Sequence, residues 1–253
     1  MTPNPILKAL SSIRRNGVRA LLTGGQACVF YGASEFSRDV DLLVLVAPGN
    51  LERLGLALAE LHAESIAMPP LEEGFLLAGH GVHFRCGRTD VAGLRIDVLG
   101  RLRGLGDFEE LWLRRTTIEV AGEKVELMGV ADLVHSKKTQ RDKDWPMIRR
   151  LVEQNYFENR FQPDKDHVMF WLRELRTPQL LIAIATAFPG PARQLAGSRP
   201  AAAAAISGDE QEVARCLESE EREERQRDRE YWQPLRKELE ELRRRRRSPG
   251  AEG

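Results

Sequence analysis

The chain predicts an α/β (α+β) protein: a mixed sheet with flanking helices over about residues 1–128, followed by a helical C-terminal region. Three observations carry this. Short apolar runs, Val18 to Leu22 and Leu42 to Val46, have the length of strands and are bounded by glycine or proline. Leu94, Ile96 and Val98 alternate with Arg95 and Asp97, the period of a half-buried strand. After Gly129 the apolar spacing becomes helical and stays so.

Taken in order, Ile6, Leu7, Leu10 and Ile13 predict a helix over 5–16 that Gly17 stops. Strand one follows at Val18–Thr23, then a helical turn or two at Gln26–Tyr31, closed by Gly32. Strand two is Val40–Val46, ended by Pro48, and Asn50 suits the cap of a helix from Leu51 to Leu61. Pro69-Pro70 marks a loop within 62–80, a stretch without clear periodicity. Val82–Cys86 and Leu94–Leu99 read as strands, and Ile118–Val120 with Val125–Leu127 as a hairpin. One helix then carries Ala131, Leu133, Val134, Lys137 and Lys138. Asp144 suits an N-cap, with Pro146 in the first turn of the next helix. Helices at 165–175 and 178–188 follow, the second capped by Thr177. Residues 191–208, with five alanines at 201–205, read as a linker or loose helix, and 209–253 as one long charged helix bent at Pro234.

The 253 residues are 42% hydrophobic, enough for a core, and the formal net charge is zero, so global charge selects no polyanion partner. Cys28, Cys86 and Cys216 are odd in number and widely spaced, which argues for a reducing compartment over a disulfide framework. No apolar run has the length of a membrane span and the N-terminus lacks a leader-like apolar region, so no membrane partner and a cytoplasmic location are expected.

The chemistry concentrates in residues 23–41. Gly24-Gly25 follows the first strand, thirteen residues intervene, and Asp39-Val40-Asp41 opens the second strand. Glycines let backbone approach a phosphate closely. Carboxylates at i and i+2 on a strand point to one face, roughly 6.5–7 Å apart along it. A phosphoryl-transfer site that clamps magnesium needs this combination.

This pattern, with Asp97 on a later strand, resembles the nucleotidyltransferase (polymerase-beta-like) superfamily. Gly24-Gly25-Gln26-Ala27 and Phe36-Ser37-Arg38-Asp39-Val40-Asp41-Leu42 are similar to the abortive-infection-type toxin nucleotidyltransferases. So is Asp132-Leu133, Lys137 and Arg141-Asp142-Lys143-Asp144 to that group's basic helical motif. The resemblance covers residues 18–150 or so. It implies a nucleotidyltransferase core at 1–128, a helical region with the basic motif at 129–190, the linker and the charged helix. It also implies Asp39, Asp41 and Asp97 as catalytic, magnesium-binding residues, with two ions. Asp97 would bridge to the second ion or take the acceptor's proton. Gly24 and Gly25 would meet the triphosphate, Ser37 would donate to a phosphate oxygen, and Lys137 would neutralise the leaving pyrophosphate, with Lys143 or Lys138 as substitutes. Arg38 either balances the acids, by pairing with Asp39 or Asp97, or contacts the nucleotide.

The expected reaction moves a nucleoside monophosphate from an NTP to an acceptor hydroxyl. The toxin-like resemblance implies an RNA acceptor, tRNA among them, and admits an antitoxin protein as partner. Arg243 to Arg247 suit phosphate-backbone contact, although a solvated helix face explains them equally well. Two rivals stand beside this reading: transfer to a small molecule of the aminoglycoside type, and an inactive module that binds nucleotide or a partner chain. His80-x-x-His83-x-x-Cys86 has no adjacent fourth zinc ligand and reads as a partly exposed loop. The four tryptophans read as packing residues.

Overall fold

A computed structural model describes residues 4–34 and 36–247 of the chain. They form two compact units, one drawn from Met1–Phe30, Ser34–Ser136 and Glu230–Gly253, the other from Tyr31–Ala33 and Lys137–Arg229.

The first unit is the α/β half. Helix α1 (Pro5–Arg15) opens with Asn4 accepting the Ile6 amide and ends as Gly17 turns to a φ of +70°. Strand β1 (Ala20–Thr23) leads into α2 (Gly24–Phe30), which begins at the glycine pair itself. Strand β2 (Asp39–Val44) leads into α3 (Pro48–Glu60). The unpatterned stretch contains β3 (Ala63–Ser65) and α4 (Glu73–Ala78), followed by β4 (Val82–Cys86) and β5 (Arg95–Leu99). Helix α5 (Phe108–Leu113), too short to show a period, precedes the hairpin of β6 (Thr116–Val120) and β7 (Glu123–Leu127). Its two-residue turn holds Ala121 and Gly122 at φ +53° and +79°, the twist that suits a tight hairpin.

These strands form one mixed seven-stranded sheet in the order β3-β4-β5-β2-β1-β7-β6. β2 runs antiparallel to β1 and parallel to β5 at the sheet centre. Leu21, Leu22, Val40, Leu42, Val44, Ile96 and Val98 are at most 1% exposed, so burial of these apolar side chains holds the centre together. The alternation then leaves Asp39 and Asp41 on the other face of β2, and Arg95 and Asp97 on the other face of β5.

Several local expectations need correction. Asn50 is not a cap: Ala47 takes that position, and the buried Asn50 amide instead accepts from the Arg19 amide and donates to the Arg19 and Leu45 carbonyls. The helix α6 (Val130–Ser136) ends before Lys137 and Lys138. His80 is not in an open loop. It is 1% exposed, its Nε2 lies 2.9 Å from Glu238 of the last helix, and His83 and Cys86 belong to β4.

The second unit is helical: α7 (Asp144–Asn159), α8 (Lys165–Glu174), α9 (Pro178–Ala187), α10 (Pro189–Ala196) and α11 (Pro200–Ser207), with the first part of α12 (Glu210–Arg247). Residues 191–208 are therefore not a linker. Proline starts α10 and α11, and alanine favours helix and packs closely. Ala201, Ala202, Ala204 and Ala205 are buried, and the Arg199 guanidinium donates to the Leu172 and Leu175 carbonyls. Helix α12 continues through Pro234, and its later residues pack in the first unit, where Leu235 is buried. Trp145 and Trp171 are core residues of the second unit. The cysteines are free, Cys28 and Cys86 among them buried. Among the described residues no helix is long and apolar enough to cross a membrane.

Candidate functional site

Cross-strand register assembles the site. Thr23, Asp41, Asp97 and His83 are Cα partners in turn across β1, β2, β5 and β4, and the next row places Asp39 beside Arg95 and Arg85. Asp41 and Asp97 are thus nearest neighbours on adjacent strands about 4.8 Å apart, with Asp39 two residues along β2 on the same face.

The glycine corner is fitted to this row. Gly24 has φ +66°, and a Cβ there would stand 1.8 Å from Asp41 Oδ2, inside the carboxylate. The Gly25 amide donates to the same oxygen at 3.4 Å. A Cβ on Gly25 would come within 2.8 Å of Ser37 Oγ, which itself donates to the Asp39 carbonyl at 3.4 Å. Gly24, Gly25, Ser37, Asp39 and Asp41, separated by up to seventeen positions in the chain, therefore form one packed group.

Asp97 stands in different surroundings. Its Oδ1 accepts from Arg95 Nε at 2.7 Å and lies 2.8 Å from His83 Nδ1, while Arg95 also reaches His83 Nδ1 at 3.2 Å. Burial pushes the Asp97 carboxyl up, but the hydrogen bonds of His83 and Arg95 outweigh it and hold it below the usual carboxylate range. The Arg95 guanidinium is shifted up, first by its bond to Asp97, against burial, and then by the charges of Asp97, Asp39 and Asp41. One arginine thus sits in the field of all three acids. Its place on the Asp97 face was visible in the alternation of β5. The role of His83 was not, because the sequence does not reveal which strand lies beside β5.

Magnesium takes oxygen ligands and commonly uses one or two carboxylates, with substrate phosphates and water completing its shell. Asp39 and Asp41 fit that donor chemistry for one ion. A second ion held through Asp97 fits less well, since Asp97 Oδ1 is engaged twice. Among the described residues no three His, Cys, Asp or Glu side chains are arranged to hold a metal, so the three acids do not by themselves form a three-carboxylate metal site.

The other predicted residues divide. Arg38 is exposed and lies over the Phe36 ring, 5.6 Å from its centroid, a contact the two sequence alternatives did not include. Lys137 and Lys143 belong to the second unit. Lys137 is buried, with Nζ 3.4 Å from Asp144 Oδ1. Asp144 also accepts from Thr139 Oγ1 at 2.6 Å and Arg141 Nε at 2.7 Å. Asp144 is the first residue of α7 rather than its cap, and Lys137 answers its charge, so this amine serves a protein carboxylate where a phosphate contact was expected. Lys143 is the exposed residue before the helix, and Lys138 pairs with Glu174. A cleft in the second unit is lined by Arg149, Arg150, Arg176 and Arg225 and equally by Asp142, Glu153, Glu218 and Glu221, so it favours neither an anionic nor a cationic acceptor.

No family profile and no curated protein matches the chain. Several solved chains are similar to it, two of them at the following low identities. An antigenic nucleotidyltransferase-like protein from Paracoccidioides brasiliensis is 16% identical with a TM-score of 0.38, over 60% of this chain and 74% of that one. A putative nucleotidyltransferase from H. pylori is 13% identical with a TM-score of 0.39, over 88% of this chain and 94% of that one.

Proposed function

We propose that the first unit is a magnesium-dependent nucleotidyltransferase domain, moving a nucleoside monophosphate from an NTP to an acceptor hydroxyl with release of pyrophosphate. The observation that carries this reading is the packing of Asp41 against the Gly24-Gly25 corner, with Asp39 and Asp97 on the same sheet face. Asp39 and Asp41 would hold one magnesium ion. When bound, that ion neutralises phosphate charge and aligns the acceptor with the α-phosphate. The bare backbone at Gly24-Gly25 lets the Asp41 carboxylate and the Ser37 hydroxyl seat directly against it, and the nucleotide's phosphates would bind beside that corner. The bond that forms joins the acceptor oxygen to the α-phosphorus. The bond that breaks, between the α-phosphorus and the bridging oxygen, frees pyrophosphate, and the acceptor's proton passes to the solvent or to the released pyrophosphate. Asp97, already held as an anion by His83 and Arg95, is a weak proton acceptor near neutral pH. Its part is to fix those two side chains beside the carboxylate pair.

An RNA acceptor, as the toxin-like motif implies, is the finer part of the proposal. The exposed side chains of Arg243, Arg244 and Arg245 near the chain's end support it through phosphate contact. The test incubates the purified full chain with magnesium and each of the four α-labelled NTPs, against total RNA, protein and an aminoglycoside. Label entering RNA, and lost in the Asp39→Asn, Asp41→Asn double variant, supports the whole reading. Label entering the aminoglycoside supports transfer with a different acceptor. Failure of every acceptor to take label, with folded protein, rejects the enzyme reading.

A further inference from the structure

Of the three acids that the sheet brings together, Asp41 packs against the glycine corner, Asp39 lies two residues along the same strand, and Asp97 is bound to an arginine. We propose that Arg95 is the resident cation of this site and stands in place of a second divalent ion, so that the protein takes one metal ion through Asp39 and Asp41 and none through Asp97. The inference rests on the metal-binding part of the function proposed above and deepens it, since it fixes how many ions the site accepts.

Three observations support it. The Asp97 oxygen nearest to its neighbours already accepts from Arg95 Nε at 2.7 Å and meets His83 Nδ1 at 2.8 Å, so a metal at that oxygen must displace two partners. Register puts Arg95 directly beside Asp39, while Asp97 is directly beside Asp41, so the arginine and the three acids are neighbouring residues of two paired strands. The Arg95 side chain also touches His83, whose own placement on β4 closes the row on the far side of Asp97. A divalent ion brought to Asp97 would meet a full positive charge at contact distance, and like charges at such range repel strongly where water is partly excluded. Arg95 also feels the charges of Asp39 and Asp41 through space.

Manganese binding to the full chain, followed by the electron paramagnetic resonance of the free ion, tests this without reference to turnover. The wild type is expected to bind one Mn2+ per chain. Arg95→Met is expected to bind a second, or to bind Mn2+ about tenfold more tightly, because the competing charge is gone. Arg95→Lys, which keeps the charge, is expected to behave as the wild type. Asp97→Asn in the otherwise native chain is expected to leave Mn2+ binding unchanged, and this variant decides the matter should Arg95→Met fold poorly. Two ions in the wild type, equal binding by wild type and Arg95→Met, or loss of Mn2+ on Asp97→Asn overturns the inference. A parallel titration with a fluorescent ATP analogue separates the two proposals. Absence of nucleotide binding with the Mn2+ differences intact defeats the nucleotidyltransferase reading alone. Nucleotide binding with two ions in the wild type defeats the role of Arg95 alone.

Discussion

Gly24 and Asp41 compete for the same space: a Cβ on Gly24 would lie 1.8 Å from Asp41 Oδ2, at a backbone φ of +66°. Gly24→Ala is therefore expected to lower stability by about 1–3 kcal/mol and to move Asp41 out of its place. Denaturant unfolding and nucleotide titration read both effects. Gly55 gives the contrast. It lies inside α3, and a Cβ added there would meet nothing within 4 Å, so Gly55→Ala should stabilise by about 0.5–1 kcal/mol. Equal behaviour of the two variants would refute the packing argument for the glycine corner.

Asp39→Asn and Asp41→Asn keep side-chain shape and remove charge. Each is expected to reduce nucleotidyl transfer by about a hundredfold or more while the unfolding midpoint stays near that of the wild type. Chelation of magnesium should abolish transfer in the same assay. A variant that retains full activity removes its carboxylate from the proposed site.

The buried group around Asp144 makes a stability prediction for the second unit. Asp144→Ala leaves the Lys137 ammonium buried without its carboxylate and should cost about 3–5 kcal/mol. Lys137→Met should cost less, since it removes the buried cation itself. Thermal unfolding of the two variants checks the order, and a Lys137→Met protein as stable as wild type would return this lysine to consideration as a phosphate ligand.

Asn50 ties α3 to both central strands through the Arg19 amide and the Arg19 and Leu45 carbonyls. Asn50→Ala is expected to destabilise the first unit by about 1–3 kcal/mol, because the part-buried Arg19 amide loses its partner while the Arg19 and Leu45 carbonyls keep the Leu45 and Ala47 amides. Urea unfolding measures it, and hydrogen exchange at the Arg19 amide should quicken in the variant. Unchanged exchange there would contradict the brace.

Much of the first unit is legible in the sequence. The alternation at Leu94, Ile96 and Val98 places Arg95 and Asp97 on one face, and the i, i+2 spacing does the same for the acids of β2. The hairpin at Ala121-Gly122 is readable too. Short or cooperative features are not. α4 and α5 span six residues each, less than two turns, and carry no measurable period. The alanines of α11 look like a linker because alanine is small and weakly apolar, yet small size is what lets that helix pack closely. Lys137 looks like a free cation because its partner Asp144, seven residues on, becomes a neighbour only after α6 ends and α7 begins.

By itself the sequence determined which side chains alternate on each strand, and hence that Asp39, Asp41, Arg95 and Asp97 could face the same way. That follows from local geometry, because successive residues of a strand point to opposite sides. Tertiary structure alone decided that β5 lies beside β2 and β4 beside β5, in the register that joins Asp41 to Asp97 and Asp97 to His83. Strand order and register are set by long-range burial of the apolar faces, and so the arginine among the acids appears only once the sheet is assembled.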